Sequence, residues 1–154
     1  MTTFWRISEH ADLSGAGGRI GSARWHTKGT AVVYLADSPA AAMLERLVHL
    51  FDDEDGFLPS VYQLLEVSAP DEFAVKELLT IAPVDWREQP AFTRQLGNAW
   101  LHSKETPLAA VPSAIVPHTL NYLLNPEHPE ANRIKINSAT REGFDNRLFH
   151  FGAR

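Results

Sequence analysis

The chain has 154 residues, 44% of them hydrophobic and 21% charged, which is typical of a globular protein long enough to bury its own core and predicts one domain over residues 1–154. Because it has no cysteine, disulfides and thiolate metal sites are excluded and a reducing, cytoplasmic location is favoured. The formal net charge of −5 argues against direct nucleic-acid binding, and the sequence shows neither a signal-peptide pattern nor an apolar run approaching the ~18–20 residues that span a membrane.

The N-terminal segments predict a strand, a loop and a second strand. Aromatic and β-branched residues at positions 4–7 indicate a short strand, in which Arg6 points to the face opposite its two neighbours. By residue type alone, a solvent-facing charge is the ordinary interpretation of Arg6. Residues 8–22 contain four glycines and no periodicity, which predicts a loop. The apolar run at residues 31–36 predicts a buried central strand.

A helix is predicted to follow, with Ser38 as its N-cap and Pro39 in its first turn. Apolar residues at helical spacing form the stripe expected to face the sheet, namely Met43, Leu44, Leu47, Leu50 and Phe51. Glu45 lies at the edge of this stripe beside two alanines, which leave room above the carboxylate for a ligand. A half-solvated boundary glutamate is the structural alternative.

The middle of the chain is predicted to contain a turn, a strand and a second helix. Residues 51–56 form an acidic turn whose spacing does not match a calcium loop, so we expect a solvated loop. Residues 61–67 predict a strand, and residues 73–81 form an ambiguous segment with room for one helical turn. Residues 90–102 predict a helix, in which Gly97 indicates close packing against a neighbour.

Prolines divide the next apolar segment. Residues 107–117 predict two short strand pieces bent at Pro112, a bend that would fix Ser113 where the chain changes direction. A lone serine is far more often structural than catalytic. Further strands are predicted at residues 121–125, at 133–136 with both cations on one face, and at 147–151 on an edge.

Several common kinds of site are excluded by spacing. The seven histidines include no H-x-x-x-H or H-E-x-x-H pair, so no metal site is expected. The glycine-rich segment is neither a Walker loop nor a Rossmann turn. A serine hydrolase triad stays open, although Ser113 lacks the strand–turn–helix elbow of such enzymes.

The remaining polar residues of interest are arginines near the glycine loop, Tyr34, Glu45 and Ser113. Arginine, an aromatic ring and a carboxylate suit a ligand with phosphates, a flat ring and a cation-like transition state. Cleavage at a ribosyl C1 has such a transition state, which a nearby carboxylate can stabilise. The residues permit this chemistry without identifying it.

Motifs along the chain resemble those of the RES domain family, the toxins of RES–Xre type II toxin–antitoxin modules. The resemblance covers roughly residues 5–136 and rests on several separate motifs in the same order. They are Trp5-Arg6-Ile7, Ala23-Arg24-Trp25-His26, Val32-Val33-Tyr34, Ser38-Pro39, Leu44-Glu45-x-Leu47-Val48-His49, Val111-Pro112-Ser113-Ala114-Ile115-Val116-Pro117 and Asn121-Tyr122-Leu123-Leu124-Asn125-Pro126-x-His128-Pro129. One departure is Ala23, where the family usually has glycine.

The resemblance implies an α+β fold, an ADP-ribosyltransferase-like mixed sheet with flanking helices. It implies an enzyme that binds NAD+ as a substrate, needs no bound cofactor, cleaves the nicotinamide–ribose bond and so arrests growth; in some relatives phosphate is the acceptor. It also implies an Xre-type helix-turn-helix antitoxin that covers the site, with operator DNA reached only through that partner. A homodimer within the complex is left open, as are two other functions: ADP-ribosylation of a protein or RNA, and a non-catalytic module that docks a partner.

The resemblance also implies roles for particular residues. Arg6, Arg19 and Arg24 all lie near the glycine loop and are candidates for the arginine of the family. Arg24 is favoured as the phosphate-binding arginine, with Arg6 as a second contact to NAD+. Tyr34 would pack against the nicotinamide or its ribose, and Ser113 would orient an arginine or a ribose hydroxyl. Glu45 would stabilise the ribosyl cation and position the acceptor.

Overall fold

The computed structural model describes residues 1–52 and 59–150, which contain seven strands and three α-helices. The strands are β1 (Thr2–Ser8), β2 (Val33–Ala36), β3 (Val61–Ala69), β4 (Val75–Glu77), β5 (Leu108–Pro112), β6 (Leu120–Leu124) and β7 (Lys135–Gly143). The helices are α1 (Ala16–Ile20), α2 (Pro39–Asp52) and α3 (Pro90–Ser103), and short 3₁₀ helices lie at Trp86–Glu88, Ala131–Arg133 and Asn146–Phe149. No helix in these two ranges is both long and apolar enough to cross a membrane.

All the strands join one sheet in the order β4-β5-β6-β2-β1-β3-β7. The pair β4–β5 is parallel and the other neighbours are antiparallel, so the sheet is mixed. The apolar strand β2 lies at its centre, as predicted. Together with the flanking helices, this arrangement confirms the α+β class.

The sheet is divided between β1 and β2. These strands pair at a single position, Trp5 opposite Ala36. By contrast, β1 pairs with β3 along its whole length, and β2 pairs with β6 from Val33 to Ala36. Side chains from both β1 and β2 line a cavity at this division.

Alternation along the strands separates a core face from a site face. Val33 and Leu35 enter the main core cluster with residues of β1, β3, β5 and β6, whereas Tyr34 packs against a second cluster on the other face. That second cluster contains three tryptophans and residues of α3, β5 and β6, and a third lies between α2 and Phe144. Within the α2 stripe, Leu47 and Leu50 are buried as expected, while Leu44 and Phe51 are exposed because they lie on the margins of the buried face.

Helix α3 lies directly on the segment that carries Arg24. A Cβ added to Gly97 would be 1.7 Å from the carbonyl oxygen of Trp25, which confirms the predicted close packing. Thr93 Oγ1 donates to the carbonyl of Arg24 at 2.6 Å, and Arg94 Nε donates to the carbonyl of Ala23 at 2.8 Å. These contacts fix three successive residues of the segment against one helix.

Several local predictions were wrong. The predicted loop at residues 8–22 contains α1, which begins after Gly15 in the left-handed conformation with φ 69°. The chain beyond Pro112 forms a turn instead of a second strand piece, because the Ser113 hydroxyl accepts from two backbone N–H groups there. The segment at residues 73–81 contributes the short strand β4 instead of a helical turn.

The C-terminal part also differs from the prediction. Arg133 ends a 3₁₀ helix, so the predicted strand begins only at Lys135 and then extends to Gly143. The predicted strand at residues 147–151 is a 3₁₀ helix as far as Phe149, and its residue 151 lies outside the described residues. Asp145 caps this helix by accepting from the backbone N–H of Arg147 at 2.9 Å. Of the acidic turn predicted at residues 51–56, residues 51–52 instead form the end of α2, and residues 53–56 lie outside the described residues.

Candidate active site

Glu45 of α2 is held by two side chains from the far half of the chain. Its Oε1 accepts a hydrogen bond from Ser113 Oγ at 3.0 Å and another from Asn121 Nδ2 at 2.7 Å. No donor from the described part of the chain reaches Oε2. The carboxylate is therefore fixed through one oxygen, and the other oxygen is available to a ligand.

The turn after β5 explains the orientation of Ser113. Its side chain is buried, and its Oγ accepts from the backbone N–H groups of Ile115 and Val116, each at 3.1 Å. Because these two bonds use the oxygen as an acceptor, the hydroxyl proton is directed to Glu45. Ser113 thus contacts the carboxylate of Glu45. Contact with an arginine, one of the two roles that the resemblance implied, is not what the structure shows.

The buried His26 and the half-buried Tyr34 form a hydrogen-bonded pair on the site face. His26 Nε2 lies 2.8 Å from the carbonyl oxygen of Gly21 and 3.2 Å from that of Gly18, and since carbonyls only accept, this nitrogen carries the proton. His26 Nδ1 then accepts from the Tyr34 hydroxyl at 2.8 Å, and that hydroxyl in turn accepts from the backbone N–H of Trp25.

Burial sets the protonation of this pair. It lowers the pKa of His26, more than the two glycine carbonyls raise it, which favours the neutral tautomer assigned above. It also raises the pKa of Tyr34 far above its ordinary value. Tyr34 is therefore a neutral side chain with a fully engaged hydroxyl, and what it offers a ligand is its ring.

The two candidate arginines have different surroundings. Arg24 Nη1 donates to the carbonyl of Arg87 at 2.9 Å, and its Cζ lies 5.9 Å from the centre of the Trp86 ring. Arg6 makes longer bonds, 3.4 Å to the carbonyl of Asp12 and 3.3 Å to Ser8 Oγ. Burial lowers the pKa of Arg6 and outweighs the opposing effect of the Asp12 carboxylate, while Arg46 lowers it further.

Two adjoining cavities meet at Glu45. The larger, of about 590 Å³, is lined by Arg6 and Arg46, and the smaller, of about 300 Å³, is lined by Arg24 and Arg94. Residues that line both are Ser22, Ala23, Tyr34, Glu45, His49 and Asn121.

Charge is distributed unevenly around these cavities. Among the described residues that line them, Glu45 is the only acidic one, so four arginines surround one carboxylate in a chain of net charge −5. The cavities therefore favour an anionic ligand, with the carboxylate at the point where a cationic centre of that ligand would lie.

The structure brings most of the predicted site residues together. Glu45 and Ser113 are bonded, Tyr34 lines both cavities with Glu45, and Arg6 and Arg24 line different cavities instead of sharing one. Sequence reasoning missed four side chains of the site, namely His26, Arg46, Arg94 and Asn121. Arg94 lies within α3, three residues before the buried Gly97 and seven before the buried Leu101, so helical spacing could have indicated it. Nothing in the local pattern distinguished Asn121 from an ordinary strand residue.

Comparison with known proteins places these features in a family. A family model described as the RES domain matches residues 3–145. A protein of Pseudomonas putida named Toxin Res is 49% identical over 147 residues, covering 94% of this chain and 98% of that protein. A protein of a Sphingobium species named Prs ADP-ribosylating toxin is 42% identical, covering 96% of each chain.

A solved structure has the same fold. A chain in the crystal structure of the M. tuberculosis MbcT–MbcA toxin–antitoxin complex aligns with a TM-score of 0.69 over 99% of this chain and 89% of its own length, at 18% identity. At that identity the likeness concerns the arrangement of helices and strands alone. It agrees with the mixed sheet described above.

Proposed function

The chain belongs to the RES domain family, and on that premise we propose that it is the toxin of a type II toxin–antitoxin module that arrests growth by degrading NAD+. The reaction is cleavage of the bond between nicotinamide and ribose. Water or phosphate then receives the ADP-ribosyl group. No bound cofactor or metal takes part in this proposal.

The observation that carries the proposal is the position of Glu45. Its carboxylate is fixed through Oε1 at the junction of two arginine-lined cavities, with Oε2 open. A fixed negative charge beside the sugar stabilises the oxocarbenium-like ion that forms as the glycosidic bond breaks. Nicotinamide carries a positive charge in NAD+ and leaves as a neutral molecule, so its departure needs no general acid.

The cavities suit the remaining parts of NAD+. Their sizes, about 590 and 300 Å³, fall in the range of pockets for ligands of this kind. Arg6 and Arg24 line the two different cavities that share Glu45, and either can bind the two phosphates. Tyr34 lines both cavities, and its ring can pack against the nicotinamide or its ribose. Ser113 supports this geometry by holding the carboxylate.

Transfer of ADP-ribose to a protein or RNA is the second candidate function. It is favoured by the name of the Sphingobium relative, Prs ADP-ribosylating toxin, which is 42% identical to this chain. The same carboxylate and the same broken bond would serve both reactions, and only the acceptor differs.

The biological setting follows from the family. We infer that an Xre-type helix-turn-helix antitoxin covers the site and that operator DNA is bound through that partner. The structural neighbour supports a protein partner, because it was solved as a toxin–antitoxin complex. The proposal includes a cytoplasmic location, a single domain, and room for a homodimer within the larger complex.

The test is release of nicotinamide by the purified chain from NAD+, with and without phosphate. Glu45→Gln keeps the shape of the side chain and removes its charge, so we expect a loss of about 10²–10³-fold in kcat. Glu77→Gln, on an exposed part of β4, is the matched control and should leave the rate unchanged. Absence of release by the wild type, or full activity of Glu45→Gln, would contradict the proposal.

Two further readouts separate the alternatives. NAD+ labelled in the adenosine part leaves label on macromolecules if the chain is a transferase, and yields ADP-ribose or its 1-phosphate otherwise. Expression of the wild type should stop growth and expression of Glu45→Gln should not. A module that only docks a partner would lose little when one charge is removed.

A further inference from the structure

We propose that Asn121 contacts the substrate, and that its Oδ1 accepts a hydrogen bond from a hydroxyl of the ribose attached to nicotinamide. This inference rests on the proposed function and adds a residue to it. Asn121 has a second task that the structure displays directly, since its amide nitrogen holds Glu45.

Asn121 occupies a central place in the site. It lies on β6 between Ala36 of β2 and Val111 of β5, and it lines both cavities. Tyr34 pairs with Leu123, two residues further along β6, so Asn121 and Tyr34 share a face of the sheet. Any ligand that extends from one cavity to the other passes this side chain.

The hydrogen bond to Glu45 fixes which way the amide faces. A carboxylate oxygen accepts and does not donate, so the atom of Asn121 that lies 2.7 Å from Glu45 Oε1 is the nitrogen. The carbonyl oxygen, Oδ1, therefore faces away from the carboxylate. It is buried and is the one buried side-chain polar atom without a hydrogen-bond partner among the described residues.

A buried acceptor without a partner is uncommon in proteins and calls for a donor. Oδ1 can only accept, so the group that completes it must carry an O–H or N–H. In NAD+ those groups are the ribose hydroxyls, the carboxamide and the adenine amine. The hydroxyls of the nicotinamide ribose are joined to the same ring as the anomeric carbon that Glu45 faces, so they are the donors nearest to Asn121.

This contact would act on the reaction itself. When a hydroxyl next to the reacting carbon donates its proton to an acceptor, more electron density stays on the hydroxyl oxygen. That density stabilises the positive charge that develops on the ring, and such bonds strengthen in the transition state of glycoside cleavage. Asn121 would then contribute twice, through the position of Glu45 and through the sugar.

The experiment compares NAD+ with two analogues whose nicotinamide ribose lacks the 2′- or the 3′-hydroxyl. For each, kcat/KM of nicotinamide release is measured with the wild type and with Asn121→Ala. If Oδ1 binds one of these hydroxyls, removing it should cost the wild type about tenfold more than it costs the variant, because the variant has already lost the bond. Asn132→Ala, at an exposed position, should discriminate as the wild type does.

A second variant separates the two tasks of the side chain. Asn121→Asp retains an acceptor at the Oδ1 position but places an oxygen instead of an N–H next to Glu45. This variant should lower kcat for NAD+ and still discriminate between NAD+ and the analogue that lacks the hydroxyl bound by Oδ1. Thermal unfolding of each variant checks its fold, and Asn121→Ser replaces the alanine variant in the comparison should the latter not fold.

The outcomes are distinct. Equal costs of hydroxyl removal in the wild type and in Asn121→Ala, for both analogues, would overturn this inference and leave the proposed function in place. Absence of nicotinamide release by the wild type would overturn the proposed function and this inference with it. A purely structural Asn121 would lower the rate for every substrate by the same factor.

Discussion

Replacing Gly97 by alanine has two opposing effects, a gain in helix propensity and a steric clash. The stability of the variant measures which effect is larger. In an unobstructed helix interior, alanine is about 1 kcal/mol more favourable than glycine. At Gly97, however, the new Cβ would lie 1.7 Å from the Trp25 carbonyl oxygen, half the 3.4 Å at which ordinary contact begins. The obstructing atoms are backbone atoms, which no side-chain rotation can move aside.

The expected size follows from these two terms. Overpacking of a core position costs up to about 3 kcal/mol, and a clash this close belongs at the upper end of that range. After the propensity gain is subtracted, Gly97→Ala should lose about 2 kcal/mol of unfolding free energy, which lowers the melting temperature by about 4–8 °C in a chain of this length. Nicotinamide release should fall as well, because Trp25 lies between Arg24 and His26.

Thermal and urea unfolding measure the loss, and Gly17→Ala is the matched control. A Cβ at Gly17, within α1, meets nothing within 4 Å, so only the propensity term acts and stability should stay constant or rise slightly. If Gly97→Ala were as stable as the wild type, the close approach of α3 to Trp25 would be refuted, and with it the account of how Arg24 is positioned.

Two further predictions concern the supports of the site. Ser113→Ala removes a donor to Glu45 and leaves two backbone N–H groups without their acceptor. We therefore expect a loss of about 1–3 kcal/mol in unfolding free energy and a fall in the rate of nicotinamide release. An unchanged rate would show that one donor suffices to hold the carboxylate. The pKa of His26 is lowered by burial below its ordinary 6.5, so the unfolded chain binds a proton there more readily than the folded chain does. Its contribution to stability is complete above about pH 6.5 and is lost as the pH falls towards the folded pKa. The difference in unfolding free energy between wild type and His26→Gln, measured at several pH values from 7.5 to 5, should therefore shrink as the pH falls; a constant difference would argue against a buried neutral histidine.

Local sequence patterns predicted the elements in which buried residues form a continuous apolar run or recur at helical spacing. The apolar run of β2 and the capped, periodic sequence of α2 were recognisable because each satisfies its own local rules, and Ser38 does accept from the backbone N–H of Ala41. Gly97, the single glycine in α3, also indicated the close packing of this helix against its neighbour. Strand β7 was largely missed because most of its residues are exposed, so no alternation of apolar and polar residues marked it.

The site was predictable in its residue types and less so in its connections. Motif resemblance supplied Glu45 and Ser113, but not the bond between them, which depends on a turn that the sequence suggested was a strand. Nor could it separate Arg6 from Arg24, because their assignment to different cavities depends on the folded chain, in which Arg6 lies on β1 and the segment of Arg24 packs against α3. Asn121 escaped notice because its importance comes from its partner in space, 76 residues earlier in the chain.

The two bonds that fix Glu45 have a consequence for the synthesis of the protein. They connect residues 68 and 76 positions apart, and the central strand β2 likewise waits for β6 as its partner. Contacts of such long range form late, after the intervening chain is available. A chain still growing on the ribosome is therefore expected to remain inactive until β6 has been made and has paired with β2, so that the activity is withheld during the earlier part of translation.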